Sequence, residues 1–267
     1  MHNFFLNIGR WSVQIQSCCP CSTTLLTVPG IYPDPDLSIE IVYPDSPKTS
    51  VSNFFKDNGL TKGMLLRDSH GIRRIVLWSD IEGWYDDPTN FELSMLRAFY
   101  TLAQDSLYRS IIIHSCAILR DGFAYMFLGP SGSGKTTVAS LSLNQGILLH
   151  DELIILDDES HGLSVQGTPF HTTMPVEIHR SAPLRAAFFL KHGGSLNFQP
   201  MKHTDVFMQM MKQIVPPESF DLSGFLMDYN QINTIMDINT RLANTIPFYA
   251  MEFSPDSDFW KGIESLA

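Results

Sequence analysis

Gly129-Pro130-Ser131-Gly132-Ser133-Gly134-Lys135-Thr136 has the form G-x-x-x-x-G-K-[ST], a pattern in which each residue type has a mechanical role. Glycines let backbone N–H groups turn inward around a polyphosphate. The Lys135 ammonium can reach the β- and γ-phosphates, and the Thr136 hydroxyl can ligand Mg²⁺. The chemistry expected is the binding of a nucleoside triphosphate with Mg²⁺. The expected binding set is Gly129, Ser131, Gly132, Ser133, Gly134, Lys135, Thr136 and Thr137.

Asp151 and Glu152 form a second chemical group, closing the apolar run Ile147-Leu148-Leu149-His150. One helix separates them from the glycine-rich loop. A parallel sheet that brings both strand ends to one edge puts these carboxylates beside the γ-phosphate. One can then hold Mg²⁺ while the other takes a proton from an attacking hydroxyl. Capping of the next turn, or plain exposure to solvent, is the alternative use of such a pair. His150 reads either as a neighbour that tunes the carboxylates or as a partly buried strand residue.

The flanking segments must place these groups. Phe123 to Leu128 reads as a buried strand and Thr137 to Asn144 as a helix stopped by Gly146, so the helix N-terminus faces the phosphates. Ile111 to Leu119 reads as one strand, reversed by the turn Arg120-Asp121-Gly122. Further strands are expected at 153–156, 163–166, 184–190 and 248–253, and helices at 204–214, 225–243 and the C-terminus. Upstream, the first thirty residues read as irregular. Short strands follow at 37–42, 63–67 and 72–78, the last two joined as a hairpin, and then a helix capped by Asn90. The expected organisation is a small N-terminal β-rich region, 1–88, and a P-loop kinase domain, 89–267, in the α/β class.

With 267 residues, 44% of them hydrophobic and 17% charged, the chain can bury a core. A formal net charge of −10 without a basic cluster argues against nucleic acid as a partner. No run approaches the roughly 18 apolar residues of a membrane span, and the start lacks signal-peptide features, so a cytoplasmic location without membrane association is expected. Cys18, Cys19 and Cys21 crowd one segment and Cys116 stands apart; four such cysteines make neither a disulfide framework nor a zinc pattern.

His114 to Gly122, the P-loop, Leu149 to Leu153 and Ala182-Pro183-Leu184-Arg185-Ala186 together resemble the HPr kinase-related proteins. Their core is similar to the C-terminal domain of HPr kinase/phosphorylase and, more distantly, to phosphoenolpyruvate carboxykinase. The resemblance runs from about Arg109 to the end. It implies Lys135 as phosphate ligand, Thr136 and Glu152 as metal ligands, Asp151 as general base and His114 near the reacting phosphate. It offers both Arg180 and Arg185 as cations for the transferring phosphoryl group, with Arg185 counted among the catalytic residues. Glu152 stands where the family has a second aspartate, and the family's glutamate-x-arginine-glycine signature is replaced by Val165-Gln166-Gly167-Thr168. The implied function is an ATP-dependent kinase acting on a serine-type hydroxyl of a peptide, protein or small metabolite other than HPr. The alternative is a non-catalytic nucleotide switch or scaffold; self-association is compatible with either.

Overall fold

The computed structural model describes residues 2–8, 11–17, 35, 37–41, 53–57, 61–68, 71–79, 87, 90–91, 95, 109–170, 172–178, 180–214 and 229–266. The chain divides into two compact units. One comprises Met1–Ser110, Pro169–His171 and Pro216–Ile235, the other Ile111–Thr168, Thr172–Val215 and Met236–Ala267.

In the first unit, β1 (His2–Ile8), β2 (Trp11–Ser17), β3 (Leu37–Ile41), β4 (Asn53–Asp57), β5 (Thr61–Asp68) and β6 (Gly71–Trp78) form one sheet in the order β1-β2-β3-β6-β5-β4. The expectation of an irregular start is corrected here, because β1 and β2 pair antiparallel from His2↔Ser17 to Ile8↔Trp11. The reason lies in the period of two: Val13, Ile15 and Ser17 are buried while Ser12, Gln14 and Gln16 between them are not. β5 and β6 pair antiparallel, as the hairpin reading requires. Of the helix expected from Asn90, only Asn90, Phe91 and Met95 are described, and they are helical. Cys18, Cys19 and Cys21 lie outside the described residues.

The second unit is mixed α/β and rich in strands. Its strands are β7 (Ser110–His114), β8 (Cys116–Arg120), β9 (Phe123–Leu128), β10 (Ile147–His150), β11 (Leu153–Glu159), β12 (Gly162–Gly167), β13 (Ser181–His192), β14 (Asn197–Pro200) and β15 (Phe248–Phe253). Its helices are α1 (Lys135–Ser142), α2 (His203–Met210), α3 (Tyr229–Thr245), which begins in the stretch assigned to the first unit, and α4 (Phe259–Glu264). The sheet runs β10-β8-β9-β13-β12-β11-β7, with β15 on β13 and β14 on β15.

Two strand expectations are corrected. The run from Ile111 to Leu119 is two strands, split at Ser115: β8 pairs with β9 and β10, while β7 neighbours β11. The buried Ser115 donates its N–H to the Glu152 carbonyl at 2.9 Å, a bond that lies outside the β8 ladder. The sheet is also mixed. β10 runs in the same direction as β9, but the antiparallel β8 lies between them. Both strand ends still reach one edge. The turn from β8 to β9 carries positive φ at Asp121 (52°) and Gly122 (80°), the two-residue geometry that matches the twist of a hairpin.

The core lies between this sheet and the helices. Phe127 stacks on Phe188 with ring centroids 5.3 Å apart, and Trp260 of α4 meets the Phe127 ring edge-on at 5.8 Å. Trp260 Nε1–H donates to Ser142 Oγ at 3.0 Å, and that hydroxyl donates to Val138 O at 2.7 Å. The C-terminal helix is thereby fixed to the end of α1, the helix that carries Lys135 and Thr136.

Candidate active site

The glycine-rich loop joins β9 to α1, and its glycines are dictated by space as well as conformation. Gly129 has φ +148° and Gly134 φ +104°. A β-carbon at Gly129 would stand 2.5 Å from Ser133 Oγ, and one at Gly134 would stand 2.8 Å from the Phe253 ring. Gly132, with φ +79°, faces open space. No side chain caps α1, and its first ladder bond is Val138 N–H to Gly134 O at 2.9 Å. The earlier N–H groups, of Lys135, Thr136 and Thr137, are left for whatever lies in front of the helix.

Lys135 is buried and curls over its own loop, with Nζ donating to Gly129 O at 2.7 Å and to Pro130 O at 3.2 Å. Burial holds its pKa below the usual lysine value, opposed by the negative charge of Glu152. His114, half-buried at the end of β7, is likewise lowered by burial first and by the Lys135 charge second, with Glu152 pulling the other way. The Cys116 thiol is fully buried; desolvation, then the Asp151 charge, pushes its pKa up, which makes it a core residue and not a nucleophile.

The acidic pair sits in the turn after β10. Register shifts between Leu148 and His150, so Leu149 is an extra residue opposite β8. A bulge of this kind re-aims the side chains that follow it. His150 becomes buried, and its Nδ1 accepts N–H bonds from Glu152 and Leu153, both at 3.1 Å. That nitrogen therefore carries no proton, and its 3.7 Å approach to Asp151 Oδ1 is not an ion pair. Asp151 Oδ1 instead accepts from the Thr172 hydroxyl at 2.5 Å. His150 is thus a buried residue that shapes the turn bearing the carboxylates.

A cleft of about 370 Å³ joins these parts. His114, Ser131, Gly132, Gly134, Lys135, Thr136, Thr137, Asp151 and Glu152 all line it. Gly129 and Ser133 belong to the loop but do not line the cleft. One lining residue was not anticipated from sequence: His192, at the end of β13, whose Nε2–H donates to Gly132 O at 2.5 Å. No local pattern announces it. Neither arginine suggested by resemblance is brought here. Arg180 is exposed and pairs with Glu177 at 3.0 Å. Arg185 lies over the Phe123 ring at 4.9 Å and lines a separate pocket with Asp121, Tyr125 and Glu264. The register Leu184↔Ala124 puts it beside the start of β9, while Phe189↔Leu128 leads to the loop. At about 3.3 Å per residue, Arg185 stands roughly 20 Å along β13 from His192. The catalytic assignment of Arg185 is corrected on that ground.

The chemistry of the cleft suits a polyphosphate. Ser133 Oγ, in the loop beside the cleft, is buried and has no hydrogen-bond partner among the described residues. Thr136 and the two carboxylates supply hard oxygen donors fit for Mg²⁺. No cluster of three or more histidine, cysteine or acidic side chains able to hold a metal occurs among the described residues. Mg²⁺ needs no such cage, since it keeps waters and is held by one or two protein groups together with phosphate oxygens. Among the described residues, no helix is long and apolar enough to cross a membrane.

Residues 78–267 match the model of a family described as SynChlorMet cassette protein ScmC. No curated protein matches the chain. Among solved structures, that described as the Hpr(Ser) kinase/phosphatase from Coxiella burnetii is similar at 10% identity and a TM-score of 0.33, over 58% of this chain and 87% of that one. A likeness this loose carries no argument about chemistry.

Proposed function

We propose that this chain, which belongs to the family of SynChlorMet cassette protein ScmC, is an ATP-dependent, Mg²⁺-requiring kinase that phosphorylates a serine-type hydroxyl of a peptide, protein or small metabolite other than HPr. One observation carries the reading: Lys135 and Thr136 from the β9–α1 loop and Asp151 and Glu152 from the end of β10 line the same cleft. A nucleotide-binding loop alone suits many functions, whereas a loop with a carboxylate pair and His114 opposite suits group transfer.

Mg-ATP, when bound, supplies the transferable phosphoryl group, with the metal offsetting charge on the β- and γ-phosphates. Lys135 leaves its two loop carbonyls for the phosphates, and the α1 N–H groups orient them. Thr136 and Glu152 would hold the metal. Asp151 accepts the proton of the acceptor hydroxyl as its oxygen bonds to the γ-phosphorus, and the bond from that phosphorus to the β–γ bridging oxygen breaks, its electron pair leaving with ADP. His114, whose pKa burial and then the Lys135 charge lower in the free chain, lines the cleft and offers a hydrogen-bonding group beside the phosphates.

The test is incubation with γ-labelled ATP, Mg²⁺, HPr and a library of serine-containing peptides and metabolites. Label is expected in a serine compound and not in HPr. Lys135→Ala should lose the thermal stabilisation by Mg-ATP, and Asp151→Asn should keep it while losing roughly 10²–10⁴-fold in transfer. Labelling of HPr refutes the acceptor class. Stabilisation by nucleotide with no transfer to anything favours the switch.

A further inference from the structure

We infer that Thr172 is a positioning residue for Asp151: its hydroxyl fixes the rotation of the carboxylate that takes the acceptor's proton. The inference rests on the kinase reading above and deepens it.

The argument begins with the single proton of a threonine hydroxyl. Met174 N–H donates to Thr172 Oγ1 at 3.0 Å. That bond uses a lone pair of the oxygen and points no proton back at Met174. The hydroxyl proton is therefore free for Asp151 Oδ1, an acceptor 2.5 Å away. The direction of the relay is settled by what each group can do: backbone N–H to hydroxyl, hydroxyl to carboxylate.

The other neighbour of that oxygen cannot perform the same task. His150 Nδ1 lies 3.7 Å from Asp151 Oδ1, but it already accepts from Glu152 and Leu153 and has no proton to give. Among the described residues, the hydroxyl of Thr172 is thus the side-chain donor that holds Asp151. It engages Oδ1, and among the described residues no side-chain bond to Oδ2 is seen, so one oxygen is anchored while the other faces the acceptor's side. Thr172 itself does not line the cleft, which Asp151 does. It acts through the carboxylate and not on substrate. On either side of it in sequence, Thr168 Oγ1 donates to Leu153 O at the start of β11 at 2.9 Å, and Glu177 N–H donates to Leu148 O of β10 at 2.8 Å.

The experiment compares the full-length wild type with Thr172→Val, Thr172→Ser and Asp151→Asn, measuring release or transfer of label from γ-labelled Mg-ATP with the serine library present. Valine keeps the shape of threonine without the hydroxyl; serine keeps the hydroxyl. The expected result is a kcat lowered roughly 10–100-fold in Thr172→Val, in line with the loss of a group that orients a working ligand, with unchanged KM for Mg-ATP and unchanged thermal stabilisation by it. Thr172→Ser should recover most of the rate. Loss of turnover in Asp151→Asn with wild-type kcat in Thr172→Val overturns the positioning role alone, as does a rise in KM that mirrors a fall in thermal midpoint. Phosphothreonine at 172 after incubation with Mg-ATP would make the hydroxyl an acceptor and overturn it too. Absence of turnover in the wild type, or full turnover in Asp151→Asn, refutes the kinase reading or its base and the present inference with it.

Discussion

Replacing His150 by leucine tests how the acidic pair is held. The imidazole is 1% exposed, and its Nδ1 is the acceptor for the N–H groups of Glu152 and Leu153. Leucine fills similar space and accepts nothing. A buried donor left without a partner costs about 1–3 kcal/mol. Both bonds are only partly buried, so water recovers some of that, and about 2–3 kcal/mol for the pair follows. For a unit of this size, 1 kcal/mol moves the thermal midpoint by roughly 2–4 °C, giving a fall of about 4–12 °C. Asparagine offers an amide oxygen near the position of Nδ1 and should restore at least one bond, leaving a loss of about 1 kcal/mol. The assay is thermal unfolding of the two variants beside wild type, followed by turnover of labelled ATP at a temperature where all are folded. Turnover should fall in His150→Leu beyond any loss of folded fraction, because the turn that aims Asp151 and Glu152 loses its internal acceptor. A midpoint for His150→Leu within 1 °C of wild type, or equal midpoints for leucine and asparagine, would refute the reasoning.

Arg185→Gln should leave phosphoryl transfer within about twofold of wild type, since its guanidinium rests on Phe123 far from the loop; a drop of two orders of magnitude in labelled transfer would return it to the cleft. The His114 pKa is depressed in the folded state, so the unfolded chain binds more protons in the window just below the ordinary value of about 6.5. Its contribution to stability is complete above that value and is lost as pH falls through the depressed one. Thermal midpoints between about pH 5 and 8 should therefore fall less on acidification in His114→Gln than in wild type, and parallel curves would refute the assignment.

The legible parts of this site are those whose demands are local. Gly129 and Gly134 need positive φ and the absence of a β-carbon, and Lys135 and Thr136 follow them by fixed spacing, so the loop could be read from its own residues. Phe123–Leu128 and Phe248–Phe253 were equally plain, as compact apolar runs. What sequence reasoning missed depends on pairing between distant segments. Ser115 splits its strand by bonding to Glu152, the bulge at Leu149 turns His150 inward, and Thr172 reaches Asp151 from another loop. His192 and Arg185 share one strand of twelve residues, and only the register with β9 tells which end meets the loop. The β1–β2 hairpin was hidden by brevity, since its alternation lasts only a few residues before a stretch rich in cysteine and proline.

The interposed strand β8 acts as a ruler. With neighbouring strands about 4.8 Å apart, the lines of β9 and β10 are separated by roughly 9.5 Å, and the hydrogen-bond ladder enforces that figure. The span between the strand ends that carry the glycine-rich loop and the carboxylates is thus a lattice dimension of the sheet, changeable only in whole strands. Fine adjustment has to come from side-chain length. Glutamate at 152 in place of a shorter acid adds about one carbon–carbon bond of reach without disturbing the ladder. The frame thus fixes the separation of the two strand ends, and side-chain length sets what spans it.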